Sequence, residues 1–198
     1  MEIEIRKLTP DLAEDYVQFF TATPHDQHVD EHKCYCVCWC NDDYEGKDFS
    51  TAEKRSQLAL QYVRHKNIQG YLAYHGDKIV GWCNANTKLD CLKCVGWQRM
   101  MSDVPVEEPG TGIKVKSIFC FMIAPEMQRQ GIASLLLARV CQDAAQNGFD
   151  FVEAYPYKDS NHQSSDFGGY AGMYEKNGFT VSAETEHGLV MRKQLSPS

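Results

Sequence analysis

The sequence predicts a single α/β domain with about seven strands and about four helices. Short apolar or alternating runs, typical of strands, are interleaved with longer segments whose apolar residues recur at helical spacing. The clearest hairpin is predicted over residues 70–86, where two apolar runs meet at a turn around Gly76, a residue that readily adopts positive φ. A chain of 198 residues is long enough for one domain with a substantial core.

The first third of the chain predicts a strand and two helices separated by a long loop. Residues 2–8 alternate between apolar and polar side chains, as expected of a half-buried strand. Pro10 then begins a predicted helix, because proline is favoured in the first helical turn. Residues 21–49 have no clear period and predict a loop with room for one short element. A capping box that begins at Ser50 predicts a helix over residues 50–67.

The rest of the chain predicts a buried central strand followed by a long helix. The run VKSIFCFMI is apolar along nearly its whole length, which is typical of a strand covered on both faces. The next helix is predicted over residues 129–147, with a wide apolar stripe, and Gly148 ends it. The other predictions are an irregular segment over 88–113, a strand in FDFVEAYP, a helix ending near Asn177–Gly178 and a hairpin that turns at His187–Gly188.

The charge and composition of the chain argue against several classes of protein. A formal net charge of -7 at pH 7 disfavours a nucleic-acid-binding protein, which usually has a basic face. The N-terminal residues MEIEIRKLTP lack the pattern of a secretory signal, and no apolar run is long enough to span a bilayer. We therefore expect a cytoplasmic protein that binds neither nucleic acid nor membrane. Its nine cysteines are then expected to be free thiols or metal ligands.

The segment HKCYCVCWC, residues 32–40, places four cysteines at every second position. Sulfur ligands of one tetrahedral zinc ion lie about 3.8 Å apart, whereas alternate residues of a straight strand lie about 6.6 Å apart. A straight segment therefore cannot chelate an ion through neighbouring thiols, and we expect no metal. A metal site shared with Cys91 and Cys94, or a regulatory disulfide, stays open as an alternative. Because cysteine also behaves as a small hydrophobic residue, the segment predicts a narrow apolar surface.

A second segment, EMQRQGIAS, joins the buried strand to the long helix and suits an anion. The first turn of a helix presents unpaired N–H groups and a partial positive charge. Gly131 leaves the backbone open to phosphate oxygens, and Arg129 adds a charge at the rim. A lone glycine at a helix start is a weak signal, so a plain strand–helix turn stays an alternative at this point.

Two motifs together make the chain resemble the GNAT superfamily of acyl-CoA-dependent N-acyltransferases. Gln128-Arg-Gln-Gly131-Ile-Ala133 is similar to the family's phosphate-binding loop, and Tyr174-Glu-Lys-Asn-Gly178-Phe179 to its second landmark. The resemblance is closest to a subgroup with a cysteine–tryptophan segment, a GWC strand and the sequence VEAYP. It implies one N-acetyltransferase domain over residues 1–198. The implied GNAT fold is a mixed, mostly antiparallel sheet with a splayed central strand pair.

The resemblance implies that the chain binds acetyl-CoA as its acyl donor. Backbone groups of the central strand, at Phe121, Met122 and Ile123, would pair with the pantetheine arm, and Asn161 would hydrogen-bond the donor. The backbone of the following loop would hold the pyrophosphate. The loop residues are Gln128, Arg129, Gln130, Gly131, Ile132, Ala133 and Ser134.

The resemblance also implies catalytic residues. Tyr174 matches the tyrosine that protonates the departing thiolate, a role that suits a hydroxyl protonated at neutral pH. The alternative is a buried aromatic residue that anchors the helix. Ser117 stands where some members of the family have a glutamate that acts as the general base. We therefore expect Glu153 on the next strand to be the base. A salt-bridged Glu153, His162, Asp166 or a water chain stay open as alternatives.

The acceptor is expected to be a primary amine on a small molecule or a peptide, acetylated by direct attack in a ternary complex. In this fold the segment after the first helix covers the acceptor side. The implied acceptor-binding residues are Cys36, Cys38, Trp39, Trp82 and Asn84. We expect a monomer or a homodimer. The alternative function is a non-catalytic acyl-CoA-binding or thiol- and metal-sensing module with the same fold.

Overall fold

The computed structural model describes residues 2–24, 29–39, 46–157, 167–186 and 188–195. These residues form one seven-stranded sheet with helices packed on both faces. The strands are β1 (Glu4–Lys7), β2 (Gly70–His75), β3 (Lys78–Thr87), β4 (Val115–Ile123), β5 (Phe151–Ala154), β6 (Thr180–Glu184) and β7 (Leu189–Gln194).

The sheet has the order β1-β2-β3-β4-β5-β7-β6. Strands β4 and β5 run parallel, and each other neighbouring pair is antiparallel. The mixed, mostly antiparallel sheet predicted from the sequence is therefore confirmed. The predicted β2–β3 hairpin is also confirmed: it turns between His75 and Lys78, and Gly76 adopts a φ of 59°.

Six α-helices occur in the described residues, two more than predicted. They are α1 (Ala13–Ala22), α2 (Ala52–Arg64), α3 (Lys88–Cys91), α4 (Val95–Met100), α5 (Ile132–Gln146) and α6 (Ala171–Lys176). The short helices α3 and α4 lie in the segment predicted to be irregular. Helix α2 is capped by Thr51, which accepts from the Lys54 N–H, and not by Ser50. None of the described helices combines the length and apolarity needed to cross a bilayer.

The two faces of the sheet bury two separate cores. Leu72 and Trp82 point towards α1 and α2, where Tyr16 meets the Trp82 ring edge-on at 4.8 Å. Ala73 points to the opposite face, where it packs near Leu136 of α5. Side chains alternate between faces along a strand, so neighbouring residues of one strand serve different cores. The segment with the cysteine run belongs to the first core.

The central strands β4 and β5 part after only four paired positions. Pairing runs from Val115 to Ile118 on β4, and β5 ends at Ala154, whereas β4 continues to Ile123. At the same point β4 carries one extra residue, Phe119, because Asn84 faces Cys120 while Ala85 faces Ile118. Such a bulge bends a strand and increases its twist. The splayed pair predicted from the sequence is thus confirmed, and it leaves a gap beside the second half of β4.

Helix α4 packs closely against the cysteine segment, and a substitution in α4 tests this contact. A Cβ added at Gly96 would lie 2.7 Å from Cε3 of Trp39 and 2.8 Å from the Cys38 carbonyl oxygen. We expect Gly96→Ala to lower the free energy of unfolding by about 1 to 3 kcal/mol, because overpacking forces the backbone apart. Urea unfolding measures the loss.

The matched control is Gly172→Ala in α6, where a Cβ would meet nothing within 4 Å. This change should stabilise the protein by up to about 1 kcal/mol, since alanine is the better helix former. Equal unfolding midpoints for the two variants would contradict the described contact between α4 and Trp39.

Candidate active site

The loop between β4 and α5 forms the first part of the site. A 3-10 turn at Pro125–Met127 leads into exposed residues, and Gly131 adopts a φ of 82° immediately before the 15-residue helix α5. No side chain among the described residues caps this helix start. Its first N–H groups thus remain available to an anion, where the helix dipole adds positive potential. Gly131 presents backbone without a Cβ, so the space beside it is open to an anionic group such as a pyrophosphate.

The second part is the backbone of β4 along the gap. The Phe121 N–H donates to the Phe167 carbonyl at 2.6 Å, so Phe167 lies where β5 would have continued. Because N–H groups alternate along a strand, Met122 directs its own N–H towards β3. The Ile123 carbonyl accepts from the Gln128 side chain at 3.4 Å. Two of the three predicted donor-binding residues, Phe121 and Ile123, therefore direct backbone groups into the gap. The third, Met122, directs its backbone N–H to β3, and its side chain lies on the face of the sheet opposite to that of Phe121.

Tyr174 lies fully buried at the same gap. Its hydroxyl donates to the Gly168 carbonyl at 2.6 Å, and its ring contacts Phe121 and Phe179 at centroid distances of 6.4 and 5.3 Å. Residues 167 and 168 thus engage both the β4 backbone and the Tyr174 hydroxyl. The structure brings Tyr174 next to the predicted donor path, while its packing also fits the alternative of a buried helix anchor.

Glu153 lies in a cluster of four charges, in which Glu153 and Lys88 are buried and Glu107 and Arg192 are partly buried. Its Oε1 is 2.7 Å from Lys88 Nζ and its Oε2 accepts from Arg192 Nε at 2.8 Å. Glu107 pairs with the same two cations, at 3.4 Å from Lys88 and 2.5 Å from Arg192. Glu153 and Lys88 are 0% exposed. This geometry corresponds to the alternative stated above, a salt-bridged glutamate, and it leaves Glu153 engaged through both oxygens.

A tyrosine that the sequence analysis did not select connects this cluster to the acceptor side. Tyr155 donates to Glu153 at 2.8 Å and accepts from the Ser117 hydroxyl at 2.7 Å. Burial, together with the charge of Glu153, raises the pKa of Tyr155 well above its usual value. Burial also raises the pKa of Glu107, but backbone and Arg192 hydrogen bonds and both cations outweigh it and leave that pKa lowered. Glu107 is therefore ionised, and Tyr155 stays protonated.

A cavity of about 220 Å³ opens on the α1–α2 face of the sheet. The cysteine segment supplies Cys38 and Trp39, two of the five residues predicted to bind the acceptor, to its wall. The bulge residue Phe119 and Tyr155 form another side, and Gly168 lies at the edge shared with Tyr174. The sequence signal for Tyr155 was available: it follows Glu153 by two residues, so the two side chains share a face of β5.

Three other residues predicted to bind the acceptor lie in the core. Cys36, Trp82 and Asn84 are 0% exposed and do not line the cavity. The Cys36 sulfur accepts from Trp82 Nε1 at 3.3 Å and lies 3.1 Å from the Cys120 sulfur, while Asn84 accepts from Asn86. Each side chain is thus used in packing behind the cavity. Asn161, His162 and Asp166 lie outside the described residues.

The cysteine segment is bent rather than straight. Tyr35 and Cys36 adopt φ values of 49° and 54°, and a 3-10 turn follows at Val37–Trp39. The hydrogen bond with Cys36 lowers the pKa of Cys120, but burial and neighbouring thiols raise it further, so the net shift is upward. Cys120 is therefore a neutral thiol and a poor nucleophile. Among the described residues, no three His, Cys, Asp or Glu side chains are grouped to hold a metal ion.

Comparison with known proteins gives a family and a fold. Three similar solved structures are a GNAT-family protein of Desulfovibrio desulfuricans (14% identity, 98% of this chain and 100% of that chain, TM-score 0.56), the PaiA N-acetyltransferase of Thermoplasma acidophilum in complex with coenzyme A (16%, 98% and 99%, 0.54) and the GNAT domain of S. lividans PAT (17%, 98% and 90%, 0.57). At these identities the likeness shows the fold alone.

No curated protein matches the chain. The sequence profile of the acetyltransferase (GNAT) family, however, matches residues 8–179. That span includes the phosphate-binding loop, the splayed strands and Tyr174. Because the profile covers most of the chain, the protein belongs to the acetyltransferase (GNAT) family, whose general activity is acyl transfer.

Proposed function

We propose that the protein transfers an acetyl group from acetyl-CoA directly to a primary amine. The observation that carries this proposal is the β4–β5 gap. At that gap the Phe121 N–H and the Tyr174 hydroxyl meet residues 167 and 168, and Gly168 also borders the cavity on the other face. A donor on one side of the gap and an acceptor on the other would thus meet beside Tyr174.

The donor site that we propose consists of backbone groups and one cation. Acetyl-CoA supplies an activated thioester when bound. The uncapped N–H groups of residues 131–134 would hold its pyrophosphate, and Arg129 would add charge at the exposed rim. The Phe121 N–H would hold the pantetheine arm after exchanging its bond to Phe167.

The reaction forms one C–N bond and breaks one C–S bond. The amine nitrogen loses a proton, and the departing sulfur gains one. Tyr174 gives its hydroxyl proton to the sulfur in our proposal, since a tyrosine is protonated at neutral pH and can act as a general acid. The amine releases its proton to solvent, and Tyr174 regains a proton from solvent, so the two transfers balance.

For the base we propose solvent rather than Glu153. An alkylamine is mostly protonated at pH 7, so it must lose a proton before it attacks. Glu153 was the base expected from the sequence, but Lys88, Tyr155 and Arg192 engage both of its oxygens. We therefore give Glu153 the role of holding Tyr155 at the cavity wall. We also propose a cytoplasmic location, because Cys83, Cys94, Cys120 and Cys141 are free thiols, as is typical of a reducing compartment.

The phosphate loop can be tested with a matched pair of glycine variants. Gly131 and Gly110 have φ values of 82° and 86°, and a Cβ on either would meet nothing within 4 Å. We expect each change to alanine to cost about 1 kcal/mol of stability, because left-handed backbone disfavours a Cβ. Only Gly131→Ala should also weaken coenzyme A binding, by about tenfold or more, because it places a Cβ where the anion binds.

Isothermal titration with coenzyme A and thermal unfolding together measure the two effects. The Gly110→Ala protein is the control for strain. If both variants bind coenzyme A as tightly as the parent chain, the donor does not use this loop.

Tyr174→Phe tests the proposed general acid. We expect kcat to fall by about 100-fold to 10,000-fold, the usual contribution of a positioned acid. Coenzyme A binding should persist, and loss of the bond to Gly168 should cost only about 1 kcal/mol of stability. The assay is coenzyme A release over a panel of amines, and Tyr170→Phe, an exposed tyrosine of which 58% is accessible, is the control.

Full activity of Tyr174→Phe would remove the acid from the mechanism. If instead the parent chain binds coenzyme A and acetylates no amine, the non-catalytic acyl-CoA-binding module becomes the better description.

Glu153→Gln separates a base from a structural carboxylate. Breaking a buried ion pair leaves a charge without its partner, and we expect a loss of about 3 to 5 kcal/mol in the free energy of unfolding. Exposed Glu4 pairs with Arg6 at 2.6 Å, so Glu4→Gln is a matched control that should leave the free energy of unfolding nearly unchanged. The pH profile of kcat should be the same in Glu153→Gln as in the parent chain. A lost ionisation in that profile would restore Glu153 as the base.

A further inference from the structure

One side of the cavity is a stack of three aromatic rings. The Trp39 and Phe119 rings lie 4.7 Å apart with 12° between their planes, and Phe119 and Tyr155 lie 5.4 Å apart with 21°. The Trp97 ring packs edge-on against both Phe119 and Tyr155. The Tyr155 hydroxyl is fixed in turn by its bond with Ser117. This aromatic stack is therefore supported from behind and is formed before any ligand binds.

Sulfur atoms form part of the remaining wall. Met100, Met101 and Met122 line it together with Cys34 and Cys38, and apolar carbon from residues such as Val104 and Leu189 completes it. Thioethers are polarisable and flexible, and they make favourable contacts with the edges of aromatic rings. A ligand in this cavity would therefore contact aromatic rings, sulfur and apolar carbon, which favours an aromatic group as its occupant.

The size of the cavity suits a single ring. An apolar cavity of about 150 Å³ is large enough to bind benzene. The volume here is about 220 Å³. The difference leaves room for a short alkyl arm beyond a single ring.

The cavity also fixes which end of the ligand reacts. Gly168 lines its edge, and the Gly168 carbonyl accepts from the Tyr174 hydroxyl. Neighbouring Phe167 lines it too and accepts from the Phe121 N–H in the β4–β5 gap. A ligand whose ring lies against the aromatic stack would direct its arm towards this edge, where the acyl donor is proposed to enter.

We propose that the acceptor is a primary amine carried by a short alkyl arm on a single aromatic ring. This inference rests on the proposed acetyl transfer. The ring supplies the binding contacts, and the arm brings the nitrogen to the Gly168 edge. The reaction then forms the C–N bond and breaks the C–S bond of the thioester. The departing sulfur takes the Tyr174 proton and leaves as the coenzyme A thiol, while the amine proton passes to solvent, from which Tyr174 is reprotonated.

The first test compares 2-phenylethylamine with ethylamine, which has the same arm without the ring. One misfitted methylene in an apolar pocket changes kcat/KM by about 10-fold to 200-fold, so a whole ring should give a ratio of at least about 100. We also expect kcat/KM to be higher for 2-phenylethylamine than for spermidine or a lysine peptide. A preference for spermidine or for the peptide, or equal values for the first two amines, would overturn the proposal.

A filled cavity provides the second test. Val104 is buried and lines the cavity, so Val104→Phe places extra carbon where the ring would lie. We expect the kcat/KM ratio of 2-phenylethylamine to ethylamine to fall by at least about tenfold. Val181→Phe adds the same carbon at an exposed position on β6 and should leave the ratio unchanged. Equal ratios in both variants would contradict the proposed ring site.

A non-reactive probe separates this inference from the proposed function. 2-Phenylethanol has the same ring and arm but no amine, and its binding can be measured by calorimetry on the whole chain. Saturable binding that Val104→Phe weakens would support the ring site even if no amine were acetylated, in which case only the proposed function fails. Acetylation of spermidine without any binding of 2-phenylethanol would leave the transferase intact and overturn the ring site. Were Val104→Phe unfolded, the wild-type amine ratio and the 2-phenylethanol titration would still decide.

Discussion

Glu153 pairs with Lys88 and Arg192 at the end of the sheet where β4 and β5 are still hydrogen-bonded to each other. Burying an ion is costly unless counter-charges and hydrogen bonds compensate it. Here two carboxylates face two cations, since Glu107 completes the cluster. The cluster joins β5 to β7 and to the segment after β3. It therefore holds the closed end of a strand pair whose other end is open, and the site depends on that opening.

The open end lies between the two cores, which are the donor face and the acceptor face of the proposed reaction. The bulge at Phe119 lets β4 turn away from β5, and the same residue joins the aromatic stack of the cavity. On the other face, Phe121 packs towards Tyr174. Phe119 and Phe121 are two residues apart, yet they lie in opposite cores, because the extra residue at the bulge interrupts the alternation of side chains between faces. In the proposed reaction, β4 would thus contact both substrates. Tyr155 then links the cavity wall to the ion cluster, so the charges that hold the sheet also hold the wall.

The sequence alone predicts the helices and strands that have strong local patterns. It does not predict the side-chain partners that come from distant parts of the chain. The apolar run of β4, the stripe of α5 and the turn at Gly76 are local signals, and they predicted these elements correctly. The mixed sheet and its splayed pair were implied by the family resemblance. The partners of Glu153 come from residues 88, 107 and 192, and no local pattern relates such distant positions. The same limit applies to Cys36 and Trp82, whose burial follows from packing between α1 and the sheet.

The cysteine run is better explained by volume than by reactivity. Cys36 fits between Trp82 and Cys120, and α4 approaches Trp39 so closely that only glycine fits at residue 96. A larger side chain in place of Cys36 would push the segment away from β4, and a charged one would be buried without a partner. Small, uncharged thiols satisfy both limits. The left-handed backbone at Tyr35 and Cys36 then turns the segment so that Cys38 and Trp39 reach the cavity while Cys36 stays beneath it.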